Sequence, residues 1–237
     1  MRTPEDVFLL IGQSNMAGRG PMDAVPALRH PNLLLFRAGQ WIPAEEPLHT
    51  DKPEIAGVGL GMSFALSLLE AYPDRVIGLL PCAVGGTPLS RWMPGADLYA
   101  DAVAVTRNAG ACGKLRGILW HQGENDAHRE EDARSYGRRL AEMIATLRTD
   151  LEATDVPFIA GELGEFLKDR ATCGTFFRVI NDELRSLRSR VPGFGLVSSA
   201  NLTDNGDHLH FNSPSLRELG RRYAREYLAL RKKGGRQ

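Results

Sequence analysis

Ser14 lies in Gly12-Gln13-Ser14-Asn15-Met16-Ala17-Gly18, directly after the apolar run Val7-Phe8-Leu9-Leu10-Ile11. A serine hydroxyl is a weak nucleophile at neutral pH. It needs a base within hydrogen-bond reach and a group that fixes that base. Both residue types occur together far downstream, in Asp207-His208-Leu209-His210. On a turn-like backbone, Asp207 can hold one ring nitrogen of His210 and leave the other facing Ser14. His208 competes as the base, and the hydropathy of the segment does not separate the two histidines. An anion-binding serine at a helix start is the other reading of Ser14, because free N–H groups and the positive dipole end lie there.

Attack on an ester also needs donors for the developing oxyanion. The backbone N–H of Ser14 is one candidate. Gly86, in Val84-Gly85-Gly86-Thr87, is a second, since a residue without Cβ admits substrate close to the backbone. The side-chain amide of Gln122 is a third. Glu124 and Asp126 flank Asn125 in the segment that follows, Gly123-Glu124-Asn125-Asp126. Glu124 can orient His210 beside or instead of Asp207, or it can hold its own loop. His121 reads as structural.

Other chemistries find no pattern. Residue 16 is Met, so Ser14 lies outside a Gly-x-Ser-x-Gly elbow, and the segment has neither the Walker lysine nor a Gly-x-Gly-x-x-Gly run. Asp207, His208 and His210 have no HExxH motif or carboxylate cluster to support them as metal ligands, so no metal is expected.

Alternating strands and helices must position these residues. Strands are expected at Val7–Ile11, Leu33–Phe36, Val76–Leu80, Leu115–Trp120 and Pro157–Ala160, with a short strand or loop at Gly195–Ser198. Apolar spacing at three and four residues predicts helices over Leu60–Ala71, Asp97–Asn108, Asp132–Leu151, Thr175–Arg190 and Pro214–Leu230, with Ser213 as the last N-cap. This order implies a doubly wound parallel sheet with functional loops at the carboxyl ends of its strands. Ser14, Gly85-Gly86, His121–Glu124, Glu162 and the Asp207–His210 loop all fall at such ends. Gln40–Gly57, rich in Pro and Glu, reads as a long surface loop that either borders a groove or is inert.

The 237 residues fit one domain, residues 1–237, with a basic, solvated tail at about 231–237. Twenty-nine basic and 29 acidic residues cancel, which gives no support for nucleic acid or an anionic membrane as partner. Three separated cysteines, Cys82, Cys112 and Cys173, argue against a disulfide framework, and Cys82 reads as a small core residue. No apolar stretch approaches membrane-spanning length, and no signal-peptide core is evident. A cytoplasmic location is the default expectation, although a secreted chain that had lost its leader would read the same.

Four blocks together resemble the SGNH/GDSL hydrolase superfamily. They are Gly12–Gly20, Gly85-Gly86-Thr87-Pro88-Leu89-Ser90-Arg91-Trp92, Trp120-His121-Gln122-Gly123-Glu124-Asn125-Asp126-Ala127 and Asp207-His208-Leu209-His210-Phe211. Within it they look most like the sialate O-acetylesterase and carbohydrate-esterase-6 (acetylxylan esterase) branch. The resemblance spans residues 7 to 225. It implies an α/β fold, a three-layer α/β/α sandwich around a mostly parallel five-stranded sheet of flavodoxin-like type. It also implies a serine esterase that needs no cofactor. Carried over by position, Ser14 is the nucleophile, His210 the base and Asp207 the acid, with Glu124 as an alternative or additional acid. Ser14, Gly86 and Gln122 form the oxyanion hole, Gln122 replacing the Asn of the wider superfamily. The implied substrate is an acetylated carbohydrate or a small acetyl ester, with Gln13, Arg19, Arg91 and Trp92 as candidates to line the sugar site. A broader short-chain carboxylesterase or acyltransferase on the same triad is the alternative, as is a non-catalytic carbohydrate-binding protein on the same fold.

Overall fold

β1 (Asp6–Gly12) is buried on both faces, and its side chains divide between two cores. Val7, Leu9 and Ile11 join one apolar cluster, while Phe8 and Leu10 join the other. This period of two is what a central parallel strand covered on both sides requires. The computed structural model describes residues 3–110 and 113–234. Cys112 and the end of the basic tail lie outside these residues.

The strands around β1 are β2 (Leu33–Arg37), β3 (Gln40–Pro43), β4 (Ile77–Pro81), β5 (Lys114–His121), β6 (Phe158–Gly161) and β7 (Phe194–Val197). They form a sheet in the order β3-β2-β4-β1-β5-β6-β7. Every pairing is parallel except that of β2 with β3. The sheet therefore has seven strands where five were expected. One addition is β7, the segment left between strand and loop. The other is β3, inside the stretch read as a loop from Gln40. Ala38 and Gly39 both have positive φ, 49° and 78°, and make the tight turn that folds β3 back on β2. Pro43 is tolerated at the end of this edge strand.

The helices are α1 (Ser14–Ala17), α2 (Gly61–Ala71), α3 (Asp97–Ala109), α4 (Glu130–Asp150), α5 (Phe177–Arg190) and α6 (Ser213–Gly234). Helices α3, α4 and α5 supply the cluster on one face, and α2 and α6 the cluster on the other. This is the expected three-layer arrangement. α6 continues past Leu230 into the basic segment. Its first turn is capped by Asn212, whose Oδ1 accepts the Ser215 N–H at 3.0 Å. The expected cap, Ser213, instead donates its hydroxyl to the Pro21 carbonyl at 2.7 Å. Cys82 and Cys173 are free thiols. No helix among the described residues is long and apolar enough to cross a membrane.

From β1 the chain first moves outward to β2, returns through β4, and then crosses β1 to reach β5. That reversal opens a crevice at the carboxyl end of β1, where an open α/β sheet binds ligands. Gly12 makes the exit from β1 possible. A Cβ there would sit 2.2 Å from the His121 carbonyl oxygen on β5, and the residue has φ +131°. The chain thus turns tightly against β5, and Ser14 emerges at the crevice.

Candidate active site

A cavity of about 230 Å³ opens at this end of the sheet. Buried Gln13, Ser14, Gly85 and Glu124 line it, with the more open Gly86 and Asn125 beside them. Leu209 and His210 form one side, and Lys52, Ile55, His128, Arg170 and Thr172 the rim. Ser14, from the turn after β1, meets His210, from the loop before α6. Ser14 Oγ and His210 Nε2 are 3.1 Å apart, and His210 Nδ1 lies 2.6 Å from Asp207 Oδ2. The expected trio thus forms a connected chain across 196 residues of sequence.

Asp207 Oδ1 accepts the backbone N–H groups of Leu209 and His210 at 2.9 and 2.8 Å. Burial alone would raise the Asp207 pKa, but these N–H donors and His210 outweigh it and hold the carboxyl below its usual range. His210 is half-buried. Desolvation lowers its pKa, with help from the nearby Arg19 and Arg170 charges, and outweighs the opposing pull of Asp207. At neutral pH the ring is therefore available as a base. His208 points elsewhere: it is exposed, and its Nδ1 faces Asp204 at 3.4 Å. His121 is fully buried, with Nδ1 3.2 Å from the Tyr223 hydroxyl. Burial lowers its pKa to about 3, in keeping with the structural role expected of it.

Ser14 and Gly86 line the cavity, and their backbone N–H groups make no hydrogen bond among the described residues. Gln122 does not join them, contrary to expectation. Its side chain is fully buried behind the cavity, and its Nε2 donates to Gln13 Oε1, Thr87 O and Asp126 Oδ2 at 3.1, 3.0 and 2.7 Å. An amide nitrogen has only two hydrogens, so none is left for an oxyanion. Asn125, from the same segment, does line the cavity. Its Nδ2 donates to the Gly86 carbonyl at 3.1 Å, which leaves its second hydrogen unused.

Glu124 lines the cavity without a hydrogen bond to His210. Its Oε1 accepts from Asn15 Nδ2 at 2.5 Å, and its Oε2 is buried without a partner. Burial pushes this carboxyl up to about 7, against the Asn15 bond. Asp126 is occupied with Leu89 N–H and Arg139, and Glu162 with Arg185, outside the cavity.

The four proposed sugar-site residues divide. Gln13 and Arg19 line the cavity. Gln13 Oε1 accepts from Gln122, and Arg19 is locked to Asp51 at 2.6 Å in a buried ion pair. Asp51 also accepts the Gly85 N–H at 2.7 Å, which ties the loop before Gly86 to the wall opposite. Trp92 and Arg91 lie outside the cavity. Trp92 is buried in the core, edge-on to Trp120, with its indole N–H on Thr87 at 3.1 Å. Arg91 pairs with Asp97 at the surface. The stretch 40–57 borders the cavity through Lys52 and Ile55 and is anchored deeper in by Glu46, which pairs with Arg217 in a second buried ion pair.

Sequence reasoning had not assigned Asn125, Asn15, Lys52, Ile55, His128, Arg170 or Thr172 to the site. Asn125 and Asn15 stand inside the quoted blocks, so their adjacency to Glu124 and Ser14 was the available signal. The rim residues come from loops without a motif. Among the described residues, no group of three or more His, Cys, Asp or Glu is arranged to hold a metal ion.

The chain is similar to several known proteins. The family model described as carbohydrate esterase, sialic acid-specific acetylesterase matches residues 4–229. A probable carbohydrate esterase of Arabidopsis thaliana is 32% identical over 246 residues, covering 95% of this chain and 91% of that protein. The X-ray structure of a protein from Arabidopsis thaliana superimposes with a TM-score of 0.87 at 31% identity, covering 95% of this chain and 98% of the other. The crystal structure of NanS shares the fold, with a TM-score of 0.81 at 21% identity over 98% of this chain and all of that one. The chain belongs to the carbohydrate esterase family of sialic acid-specific acetylesterases, the branch its four sequence blocks resemble.

Proposed function

We propose that the protein is a serine esterase that removes O-acetyl groups from a carbohydrate through an acetyl-enzyme on Ser14. The observation that carries this reading is the chain Ser14 Oγ–His210 Nε2 and His210 Nδ1–Asp207, at 3.1 and 2.6 Å, opening into a small cavity. His210 Nε2 takes the Ser14 proton as Oγ bonds to the acetyl carbonyl carbon. Charge moves to the carbonyl oxygen, which the N–H groups of Ser14, Gly86 and Asn125 receive. Asp207 fixes the ring and stabilises the imidazolium. The tetrahedral intermediate collapses, the bond to the sugar oxygen breaks, and His210 returns its proton to that oxygen. A water then loses a proton to His210 and attacks the acetyl carbon. Acetate departs, and Ser14 recovers its hydroxyl hydrogen from the ring.

The cavity of about 230 Å³ suits a short acyl group, with the sugar at the rim. The test is acetate release from 4-nitrophenyl acetate, O-acetylated sialic acid and acetylated xylan, comparing the native protein with Ser14→Ala. Turnover lost in a folded Ser14→Ala variant supports the reading, and the substrate turned over most efficiently names the carbohydrate. Equal turnover in the two proteins refutes it.

A further inference from the structure

Asn15 follows Ser14 directly, and its side chain spans the segment that carries His210. Its Oδ1 accepts the Phe211 N–H at 3.0 Å, and its Nδ2 donates to the Leu209 carbonyl at 3.1 Å. The backbone on both sides of His210 is thus gripped by one amide, attached to the residue next to the nucleophile. The second hydrogen of that amide goes to Glu124 Oε1 at 2.5 Å. With the Phe211 N–H requiring an acceptor and two oxygens requiring donors, the orientation of the amide is fixed by its partners.

The loop needs such a reference point. Asp207 is half-exposed, and its bonds to Leu209 and His210 are internal to the loop. They shape it without locating it relative to Ser14. The Asn205 side chain ties the start of the loop to the Arg19 carbonyl, and Arg170 holds the Asp207 carbonyl. Among the described residues, only the Asn15 bonds connect the two residues flanking His210 to the turn of Ser14 itself.

Glu124 is otherwise unexplained. A buried carboxyl with one oxygen unpartnered costs stability. It makes no hydrogen bond to His210, whose Nδ1 is taken by Asp207, so it does not serve as the orienting acid of the triad. We propose that Asn15 and Glu124 form a brace that registers the His210 loop on the Ser14 turn, with both acting as positioning residues for the base. Glu124 holds the Asn15 amide by accepting its hydrogen, and Asn15 holds Leu209 and Phe211. The role needs an acceptor at position 124, not a charge.

This inference rests on the reading that Ser14 and His210 perform the reaction. Full turnover by Ser14→Ala would remove that reading, whereas the following variants judge the brace. Native protein, Glu124→Ala, Glu124→Gln, Asn15→Ala and the double alanine variant are assayed on an acetyl ester for kcat and KM. The downfield proton signal of the Asp207–His210 hydrogen bond is recorded by NMR for each. Loss of the brace lets the base drift, and displacements of about 1 Å cost ~10²-fold in rate. Glu124→Ala and Asn15→Ala should each lower kcat by about 10- to 100-fold with KM changed less than about twofold, and should weaken the downfield signal. Glu124→Gln should recover kcat to within about threefold of native and restore the signal, because its carbonyl still accepts from Asn15. The double variant should be no slower than Asn15→Ala alone. Native kcat in either alanine variant overturns the brace. So does a Glu124→Gln variant as slow as Glu124→Ala with the signal intact, which would mean the charge itself is needed. If Glu124→Ala fails to fold, Asn15→Ala and Glu124→Gln still give these opposed outcomes.

Discussion

Replacing Asn125 by alanine removes a side-chain amide that lines the cavity with a hydrogen to spare. The backbone donors of Ser14 and Gly86 would remain, so the oxyanion would lose one donor of three. A single such donor contributes ~10²–10³ in kcat, or about 2.7–4 kcal/mol of transition-state stabilisation. The bond it breaks in the ground state, Nδ2 to the Gly86 carbonyl at 3.1 Å, is exposed and contributes at most about 1 kcal/mol to folding. Asn125→Ala should therefore lower kcat by two to three orders of magnitude while KM and the urea midpoint barely move. Gln122→Ala should do the opposite. It strips a donor from Gln13, Thr87 and Asp126 inside the protein; Asp126 keeps the Leu89 N–H and Arg139, but the Thr87 carbonyl loses its donor, and a buried acceptor left unsatisfied costs about 1–3 kcal/mol. Steady-state acetate release and urea unfolding on both variants separate the two roles. A folded Gln122→Ala variant with a stable urea midpoint and the greater loss of kcat would refute the assignment of the donor to Asn125.

Acid should inactivate the protein through His210. Burial lowers its pKa below the ordinary 6.5, so the acid limb of kcat/KM should have its midpoint below 6.5, with activity present above it and lost as pH falls through it. A midpoint above 6.5 in the rate profile would contradict the environment described for the ring. Glu46→Ala should destabilise the fold by about 3–5 kcal/mol in urea unfolding, because it leaves the Arg217 guanidinium buried without its carboxylate. Trp92→Ala should cost about 3–5 kcal/mol of stability and leave KM for a small acetyl ester within about twofold, since the indole fills the core and does not face the cavity.

Ser14 and Asp207 were legible because their context is local, whereas only the family resemblance set His210 apart from His208. An apolar strand ends at a small-residue turn, and an acid and an imidazole stand three apart before a capped helix. The layers were legible because β1 and the helices carry their periods openly. What escaped depended on distant packing. Trp92 and Arg91 carry side chains suited to sugar contact, but nothing in Leu89-Ser90-Arg91-Trp92 says that Trp120 waits across the core to cover the indole. Gln122 and Asn125 are three residues apart in one block with the same functional group. Only the turn after β5 decides which amide faces inward to Asp126 and which outward to Gly86. The edge strand β3 was hidden because Gln40-Trp41-Ile42-Pro43 is short, and the turn before it is marked only by Ala38-Gly39.

The cavity wall made by the segment between Glu46 and Gly57 is riveted from beneath. Glu46 grips Arg217, Asp51 grips Arg19, and the Gly57 N–H is bonded to the Gly18 carbonyl at 3.2 Å. Lys52 and Ile55 project between those rivets. Their side chains can therefore be exchanged while the backbone beneath them stays put, and the serine turn does not feel the change. Under the proposed function, substrate preference is then separable from the chemistry. A library varied at positions 52 and 55 should yield folded catalysts with new tastes in sugar, whereas the same variation at 46 or 51 should yield destabilised chains.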